Sequence, residues 1–576
     1  MARDNIPASV TARGKPNVFD VITILCVMAL GVYVASVTRQ ILQPMNMPQA
    51  QAIHLDLSYL PEYSLRTMLR MFLALIASVV FTFIFATMAA KSKRAARIII
   101  PILDVLQSVP VLGFLTFTVT FFLALFPGRV LGPELAAVFA IFTSQVWNMT
   151  FSMYQALKTL PSDLDEAAKC FGLTSWQRFW KVEVPIAIPG LIWNTMMSMS
   201  GGWFMIVYSE TITIGDTNII LPGIGSYVGA AIDHKDIHAI FYAVAAMFLV
   251  ILAYDQLLFR PLVAWSEKFR FENVAAEKDT TPWLLRLMYN TSFIRWGTDR
   301  IADICHQIAI LPIGKKPSSK SLFSRSGGSQ LTTILYALLC IAIGAGAAYY
   351  IYITVYTELS ISEVIYAFKL GLITLLRVVV MVGVATVIWL PVGIWLGLRP
   401  KYAKITQIVA QFMASFPANL LFPFVVMGIV HFHLSTNIWL TPLIILGTQW
   451  YILFNVVGGA STFPGDLREV AINFKVKGWL WWFKVMIPAV FPYYVTGALT
   501  AFGGAWNASI AAELVSWGST TLEAEGLGAY IAQATNDGNG FKVGLGMIVM
   551  STFVILFNRV VWHPLYDYAQ RRLSLS

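Results

Sequence analysis

At 576 residues, with 57% apolar and 12% charged residues and a mean hydropathy of +0.69, the chain is too apolar for a soluble protein of average usage. Its formal charge of +10 comes from cations that border apolar runs instead of forming a continuous basic surface, which argues against nucleic acid as a partner. Four cysteines, Cys26, Cys170, Cys305 and Cys340, show no paired spacing and read as reduced structural thiols.

A bilayer core about 30 Å thick needs roughly 20 helical residues per crossing. In chain order, runs of that kind lie near 18–37, 65–90, 98–125, 135–156, 186–213 and 238–259, then near 331–353, 370–398, 405–430, 437–459, 488–515 and 541–563. The first follows Arg13 and Lys15 and ends without a small-residue cleavage site, so it reads as a retained span. Lipid cannot satisfy open backbone groups, and runs of this length exclude barrel strands. The expectation is an all-α polytopic membrane protein with about 12 transmembrane helices.

Lysine and arginine set the orientation. With the N-terminus inside, the inner segments hold Arg3, Arg13 and Lys15; Lys91, Lys93, Arg94 and Arg97; Lys158, Lys169, Arg178 and Lys181. The second half repeats this with Arg399, Lys401 and Lys404, then Arg468, Lys475, Lys477 and Lys484, and with Arg571 and Arg572 at the tail. The opposite side offers few cations, such as Arg39, Arg129 and Lys235. The bias predicts both termini on the cytoplasmic side.

The chain reads as an internal duplication. A shift of 303 pairs Pro161 with Pro464, Glu166 with Glu469, Pro185 with Pro488, Trp203 with Trp506, Glu210 with Glu513, Gly223 with Gly526, Tyr227 with Tyr530 and Pro261 with Pro564. Earlier the shift is 307, pairing Arg70 with Arg377 and Pro110 with Pro417, so a four-residue length change falls between, near Pro127-Gly128-Arg129. Equal span numbers and a cytoplasmic linker predict two tandem parallel repeats of six, related by an axis along the membrane normal. The expected layout is a cytoplasmic segment at 1–17, a first repeat at 18–265, a linker at 266–330 and a second repeat at 331–570. Within the linker, 283–312 mixes apolar and charged residues as interfacial helices do, and 314–328 reads as a flexible tether.

Between apolar runs, each half carries one polar element: Glu166-Ala167-Ala168, Gly172 and Val182-Glu183-Val184-Pro185 near 161–185, and Glu469-Val470-Ala471, Lys475 and Val485-Met486-Ile487-Pro488 near 464–488. Ser162 is placed to cap a short helix with Asp165 three positions on, and acidic residues suit its positive end. Ala167, Ala168 and Gly172 lack bulk, so a partner backbone could approach. An amphipathic interfacial helix without special purpose is the plain alternative, which two copies in register make less economical.

These elements resemble the EAA loop of ATP-binding-cassette (ABC) importer permeases, with Glu-Ala-Ala, a glycine four positions on, and an apolar-x-apolar-Pro close. The stretches Gly201-Gly202-Trp203 to Glu210 and Gly503-Gly504-Ala505-Trp506-Asn507 to Glu513, followed by Gly-Ile-Gly or Gly-Leu-Gly and Tyr, look like the nitrate, sulfonate and taurine branch. The resemblance implies a type I ABC importer (MetI-like) fold in the cell inner membrane, with two permease halves fused in one chain. It further implies two ABC ATPase subunits on the cytoplasmic side, carrying ATP and Mg, and an extracytoplasmic substrate-binding protein. Asp163, Glu166, Ala167, Ala168 and Gly172, with Asp466, Glu469, Val470, Ala471 and Lys475, would then contact the ATPases. The second copy departs at Val470 and Lys475, which implies unequal contacts.

No phosphate-binding loop occurs, so ATP hydrolysis is expected on a separate subunit, with no cofactor in this chain. No catalytic or metal constellation stands out, and His431 and His433 read as surface groups. Polar residues within spans are the pathway or gate candidates: Arg70, Gln145, Asn148, Trp203, Glu210, Arg377, Gln449, Trp506, Asn507 and Glu513. Arg70 with Glu210, and Arg377 with Glu513, are expected to pair near the outer ends of their spans. Equally open is that each reaches interfacial water. The resulting function is the permease of an ATP-driven importer for a small anion such as a sulfonate, nitrate or organic acid. A twelve-span secondary transporter is the alternative.

Overall fold

A computed structural model describes residues 53–108, 111–214, 217–269, 292–313 and 357–572, with isolated residues at 28, 36, 346, 349 and 353. The expected spans near 18–37 and 331–353, the segment 1–17 and the tether at 314–328 lie outside the described residues, as do Cys26 and Cys340. Most described residues fall into two compact units, one within Phe151–Met196 and Leu252–Ser326, the other within Pro44–Thr150, Met197–Ile251 and Gly327–Ser576.

The first half runs α1 (Leu60–Lys91), α2 (Lys93–Ser108), α3 (Val111–Leu125), α4 (Leu131–Lys158), α5 (Ser162–Cys170), α6 (Ser175–Arg178), α7 (Val184–Ser209), the hairpin β1 (Thr211–Ile214) and β2 (Thr217–Ile220), α8 (Ile224–Asp233), α9 (Ile237–Tyr254) and α10 (Arg260–Ser266). The linker contributes α11 (Ser292–Ile310). The second half runs α12 (Ile361–Gly397), α13 (Pro400–Ser415), α14 (Phe422–His431), α15 (Thr436–Trp439), α16 (Leu443–Leu446), α17 (Gln449–Ser461), α18 (Gly465–Asn473), α19 (Trp479–Trp481), α20 (Ile487–Ala512), the hairpin β3 (Leu514–Trp517) and β4 (Thr520–Glu523), α21 (Leu527–Asn536), α22 (Gly540–Phe557) and α23 (His563–Arg572). From α5 onward, the 303 shift superposes helix starts to the residue at 162 on 465, 184 on 487, 224 on 527, 237 on 540 and 260 on 563, and within one residue for α6 and α19.

Proline explains a further repeated feature. Wide turns at Phe179–Glu183, Asp255–Phe259, Trp482–Met486 and Asn558–Trp562 each end two residues before a proline: Pro185, Pro261, Pro488 and Pro564. Proline has no amide to continue an ordinary helical ladder. The chain passes it with a bond five residues back, Val184 to Phe179 and Ile487 to Trp482.

Among the described residues, five helices are long and apolar enough to cross a membrane, seven if two bent pairs each count as one span. The bent pairs replace what reads in sequence as continuous runs. The 405–430 run breaks by 78°, where Pro417 holds Phe416 extended at ψ 128° and ends α13. The 437–459 run bends by 43°.

An all-helical chain is also corrected locally. The runs expected to reach 213 and 515 end at Ser209 and Ala512, and two-stranded hairpins follow. Thr211-Ile212-Thr213-Ile214 is a β-branched stretch that suits a strand. In the second hairpin, the pair Trp517 and Thr520 brackets a two-residue loop whose first member, Gly518, has φ 56°.

Candidate functional site

Two constructions recur in both halves: a buried polar clamp behind each hairpin, and a short helix closed by a left-handed turn in the polar elements near 161–185 and 464–488, termed coupling elements for the role their resemblance implies. In the first clamp, Thr67 and Arg70 stand three apart on α1 and so face the same way. Thr67 Oγ1 donates to Glu210 Oε1 at 2.7 Å, Arg70 Nη1 donates to the same oxygen at 2.8 Å, and the amide of Gly225 donates to Glu210 Oε2 at 2.6 Å. Arg70 also holds Glu134 through Nε and Nη2, both at 2.7 Å. Arg70 Nη1 also donates to the Pro222 carbonyl at 3.0 Å, so each of its three nitrogens is engaged and the carboxylates are held by charge-assisted bonds. Glu210 meets the N-terminus of α8, where free amides and the helix dipole favour negative charge.

This clamp also explains the Gly-Ile-Gly sequence. A Cβ at Gly223 would overlap the Glu210 carboxylate, and one at Gly225 would press on the Val207 carbonyl. The second clamp repeats the plan. Thr374 donates to Glu513 at 2.9 Å, Arg377 at 3.3 Å and the Gly528 amide at 2.7 Å. Where Arg70 has Glu134, Arg377 has Asn437, at 2.9 Å. Thr67 and Thr374 obey the 307 shift and were legible as a repeat, whereas Glu134 falls on the unlike Asn437 under the 303 shift and was not. The first clamp thus carries one carboxylate more.

Each clamp adjoins a buried tyrosine. Tyr227 donates to the Leu55 carbonyl at 2.7 Å, and burial pushes its hydroxyl up to about 12. Tyr530 donates to Glu363 at 3.0 Å, and burial, then this carboxylate, raise its hydroxyl as well.

In the first coupling element, α5 is preceded by Pro161 at the N-cap, with no side-chain cap bond, so Ser162 is the first helical residue and not its cap. The cap that does form belongs to α6, where Thr174 and Gln177 make a reciprocal capping box. The glycine of the motif has a backbone role. Gly172 sits at φ 64°, its amide bonds Lys169 O at 3.0 Å, and Leu173 N reaches Ala168 O at 3.1 Å. This is a Schellman turn, which favours glycine at its left-handed position.

Lys475 occupies the same turn at φ 54°, with bonds to Ile472 O at 3.0 Å and from Val476 N to Ala471 O at 2.9 Å. The small residues are likewise explained from within. Ala168 and Ala471 are buried in the chain itself, which corrects the expectation that both motif alanines lie open to a partner. Asp163, Glu166, Asp466, Glu469, Val470 and Lys475 are exposed, and Ala167 is half-buried.

The two elements differ in what secures them. Asp165 pairs with Lys169 at 2.6 Å and with Arg178, which also reaches the buried Glu183 at 3.0 Å. Under the 303 shift these four positions hold Arg468, Ile472, Trp481 and Met486, so no equivalent ion network can form.

The pathway candidates divide into packed and polar-facing groups. Trp203 and Trp506 are fully buried, with Trp506 stacked on Phe553 and edge-on to Phe502, so they fill the interior instead of lining an opening. Gln145 is buried, and its amide atoms make no hydrogen bond among the described residues. Asn148 accepts from Gln107 at 3.2 Å, and Gln449 accepts from Trp389 at 2.9 Å. Asn507 accepts from the Val111 amide at 2.8 Å, joining α20 of one half to α3 of the other. Among the described residues no group of three potential metal ligands occurs.

The sequence profile of the binding-protein-dependent transport system inner membrane component family matches twice, at 78–258 and 389–574. This chain belongs to that family. It carries two copies of the family's domain, each including one of the polar elements and one hairpin. It is similar to the nitrate import permease protein NrtB of Leptolyngbya laminosa, 33% identical over 112 residues, covering 19% of this chain and 38% of the relative. It is also similar to the glycine betaine/proline betaine transport system permease protein ProW of Escherichia coli, 31% identical over 137 residues, 24% of this chain and 36% of the relative. A third relative, the bicarbonate transport system permease protein CmpB of Synechocystis, is 28% identical over 178 residues, 31% of this chain and 60% of its own length. The chain thus spans less than two thirds of each of these relatives.

Proposed function

We propose that this chain is the membrane-spanning subunit of an ATP-driven importer, with the substrate pathway between its two fused halves. The observation that carries the reading is the repeated element: a short exposed acidic helix, closed by a Schellman turn and followed by a proline-entered apolar helix, present once per family domain. In this reading the protein has about twelve spans in two parallel repeats, both termini face the cytoplasm, and α5 and α18 are the coupling helices. Separate ATPases would engage Asp163, Glu166, Ala167 and Gly172 on one, and Asp466, Glu469, Val470 and Lys475 on the other. Ala168 and Ala471 would support these helices from behind.

The clamps at Arg70 and Glu210 and at Arg377 and Glu513 would hold the hairpins at the opposite end, where a substrate-binding protein would dock. Gln145, Asn148, Gln449 and Asn507 are the polar groups assigned to the pathway. The relatives named for nitrate and bicarbonate support a small anion as substrate.

Copurification with an ATPase subunit tests the reading. Replacing Glu166 and Glu469 together should abolish the association while membrane insertion persists. Uptake that proceeds without any ATPase would overturn it. Uptake confined to zwitterionic betaines would overturn the anion assignment alone.

A further inference from the structure

The linker helix α11 ends against the first coupling element. Trp176 Nε1 donates to the Ile308 carbonyl at 2.7 Å, Gln177 Nε2 to the Ile310 carbonyl at 2.6 Å, and the Trp176 amide to the Ile313 carbonyl at 3.4 Å. The last carbonyls of a helix have no partner within it. Ile308 O also accepts from the Leu311 amide at 3.3 Å, and the donors of the polar element hold Ile308 and Ile310 at the helix end and Ile313 just beyond it. The second half has Leu480 in place of Gln177, and its Trp479 is 79% exposed. Among the described residues only the first coupling element holds a helix end in this way.

The same helix presents an apolar face. Ile304 and Ile308 are one turn apart and exposed, with Leu311 continuing the line, whereas Asp299 and His306 point to the opposite side. Both ends of its path are fixed at span boundaries. The linker leaves a candidate span at Ser266, just after the exposed Trp265, and returns to residues that immediately precede the wide turn at Phe179–Glu183 and α7. Residues 283–316 contain Arg286, Arg295, Arg300, Lys315 and Lys316 against Asp299 and Asp303, a positive balance that complements an anionic leaflet.

We propose that α11 is a lipid-surface helix that clamps the first coupling element, and only the first, to the bilayer. Ile304, Ile308 and Leu311 enter the headgroup boundary, and the positive balance of the surrounding sequence favours an anionic surface. The leaflet is the cytoplasmic one if the coupling elements face the motor, so the side rests on the proposed function. The lipid contact does not.

Site-directed spin labelling of the full chain tests this, in vesicles of phosphatidylcholine with one quarter phosphatidylglycerol. The four native cysteines are first replaced by serine, and a single label is then placed at 299, 304, 306 or 308. Labels at 304 and 308 should be several-fold more accessible to oxygen than to a water-soluble nickel chelate, with the order reversed at 299 and 306. Equal chelate access at all four, or burial of 304 and 308 from both reagents only after an ATPase subunit is added, would overturn the lipid contact. A label at 305 then reports the clamp. The double variant Trp176→Phe and Gln177→Leu should raise its mobility while 304 keeps its oxygen preference, and the single variant Gln177→Glu, which keeps size but loses the donor, should act in the same direction. Unchanged mobility in both would overturn the clamp.

Discussion

Gly172 and Lys475 occupy the same left-handed helix-ending turn, at φ 64° and 54°, although one residue is suited to that backbone and the other is strained by it. The inequality between the coupling elements is therefore a property of the chain's own backbone before any partner is considered. A left-handed conformation costs a residue with a Cβ about 1 kcal/mol or more. Lys475→Gly should stabilise the protein by about 1 kcal/mol, and Gly172→Lys should destabilise it by about the same amount. Thermal unfolding in detergent checks both. A neutral Gly172→Lys would show that backbone strain does not govern this position.

The clamps should fail unequally. Glu134 still pairs with Arg70 when Glu210 is replaced, so Glu210→Gln leaves that buried cation compensated and costs mainly the charge-assisted bonds to Glu210, about 1.5–3 kcal/mol. Arg377 has no second carboxylate among the described residues, so Glu513→Gln leaves it with Asn437 alone and should cost clearly more, about 3–5 kcal/mol less a discount for its slight exposure. Melting temperature, with protease cleavage in the two hairpins, reads the difference. Equal losses would refute the asymmetry.

Thr67 and Thr374 each join an α-helix to the start of another by accepting an amide proton, from Ile224 at 3.0 Å and from Leu527 at 2.9 Å, while donating to the clamp glutamate. Thr67→Val and Thr374→Val keep the shape and remove both bonds. Each should cost about 1–3 kcal/mol, seen as faster hydrogen exchange in α8 and α21. Unaltered exchange there would mean that the threonines do not anchor these helices.

The ion network of the first coupling element admits a direct transplant of the second. Arg178→Trp copies Trp481 and leaves the buried Glu183 without its cation, which should destabilise the first unit by about 1–2 kcal/mol after allowance for the partial exposure of Arg178 and Asp165. Adding Glu183→Met, the second half's residue, should recover most of the loss. Failure of that rescue would show that Arg178 acts other than through Glu183.

The duplication was readable from prolines, glycines and glutamates because those residues impose backbone or desolvation constraints that survive substitution around them. Pro185, Pro261, Pro488 and Pro564 mark the wide turns, and Gly223 and Gly526 mark where a carboxylate comes too close for a Cβ. Other expectations failed where pattern and geometry part. Trp203 and Trp506 are polar-tipped enough to suggest a pathway, yet the structure packs them in the interior. Ala168 and Ala471 look small for the sake of a partner but are buried beneath their own turns. Glu134 was overlooked because a single carboxylate in an apolar run carries no local signal of its arginine 64 residues earlier.

Composition and periodicity by themselves determined a membrane protein of two like halves, each bearing one polar element at a fixed distance from a proline, because the cost of exposing backbone to lipid acts on local sequence. Tertiary structure decided which like residues do unlike things. Whether a glutamate meets an arginine, whether a lysine must adopt a glycine's backbone, and whether a linker helix finds donors for its last carbonyls all depend on groups brought together from distant positions, and no local pattern specifies those distances.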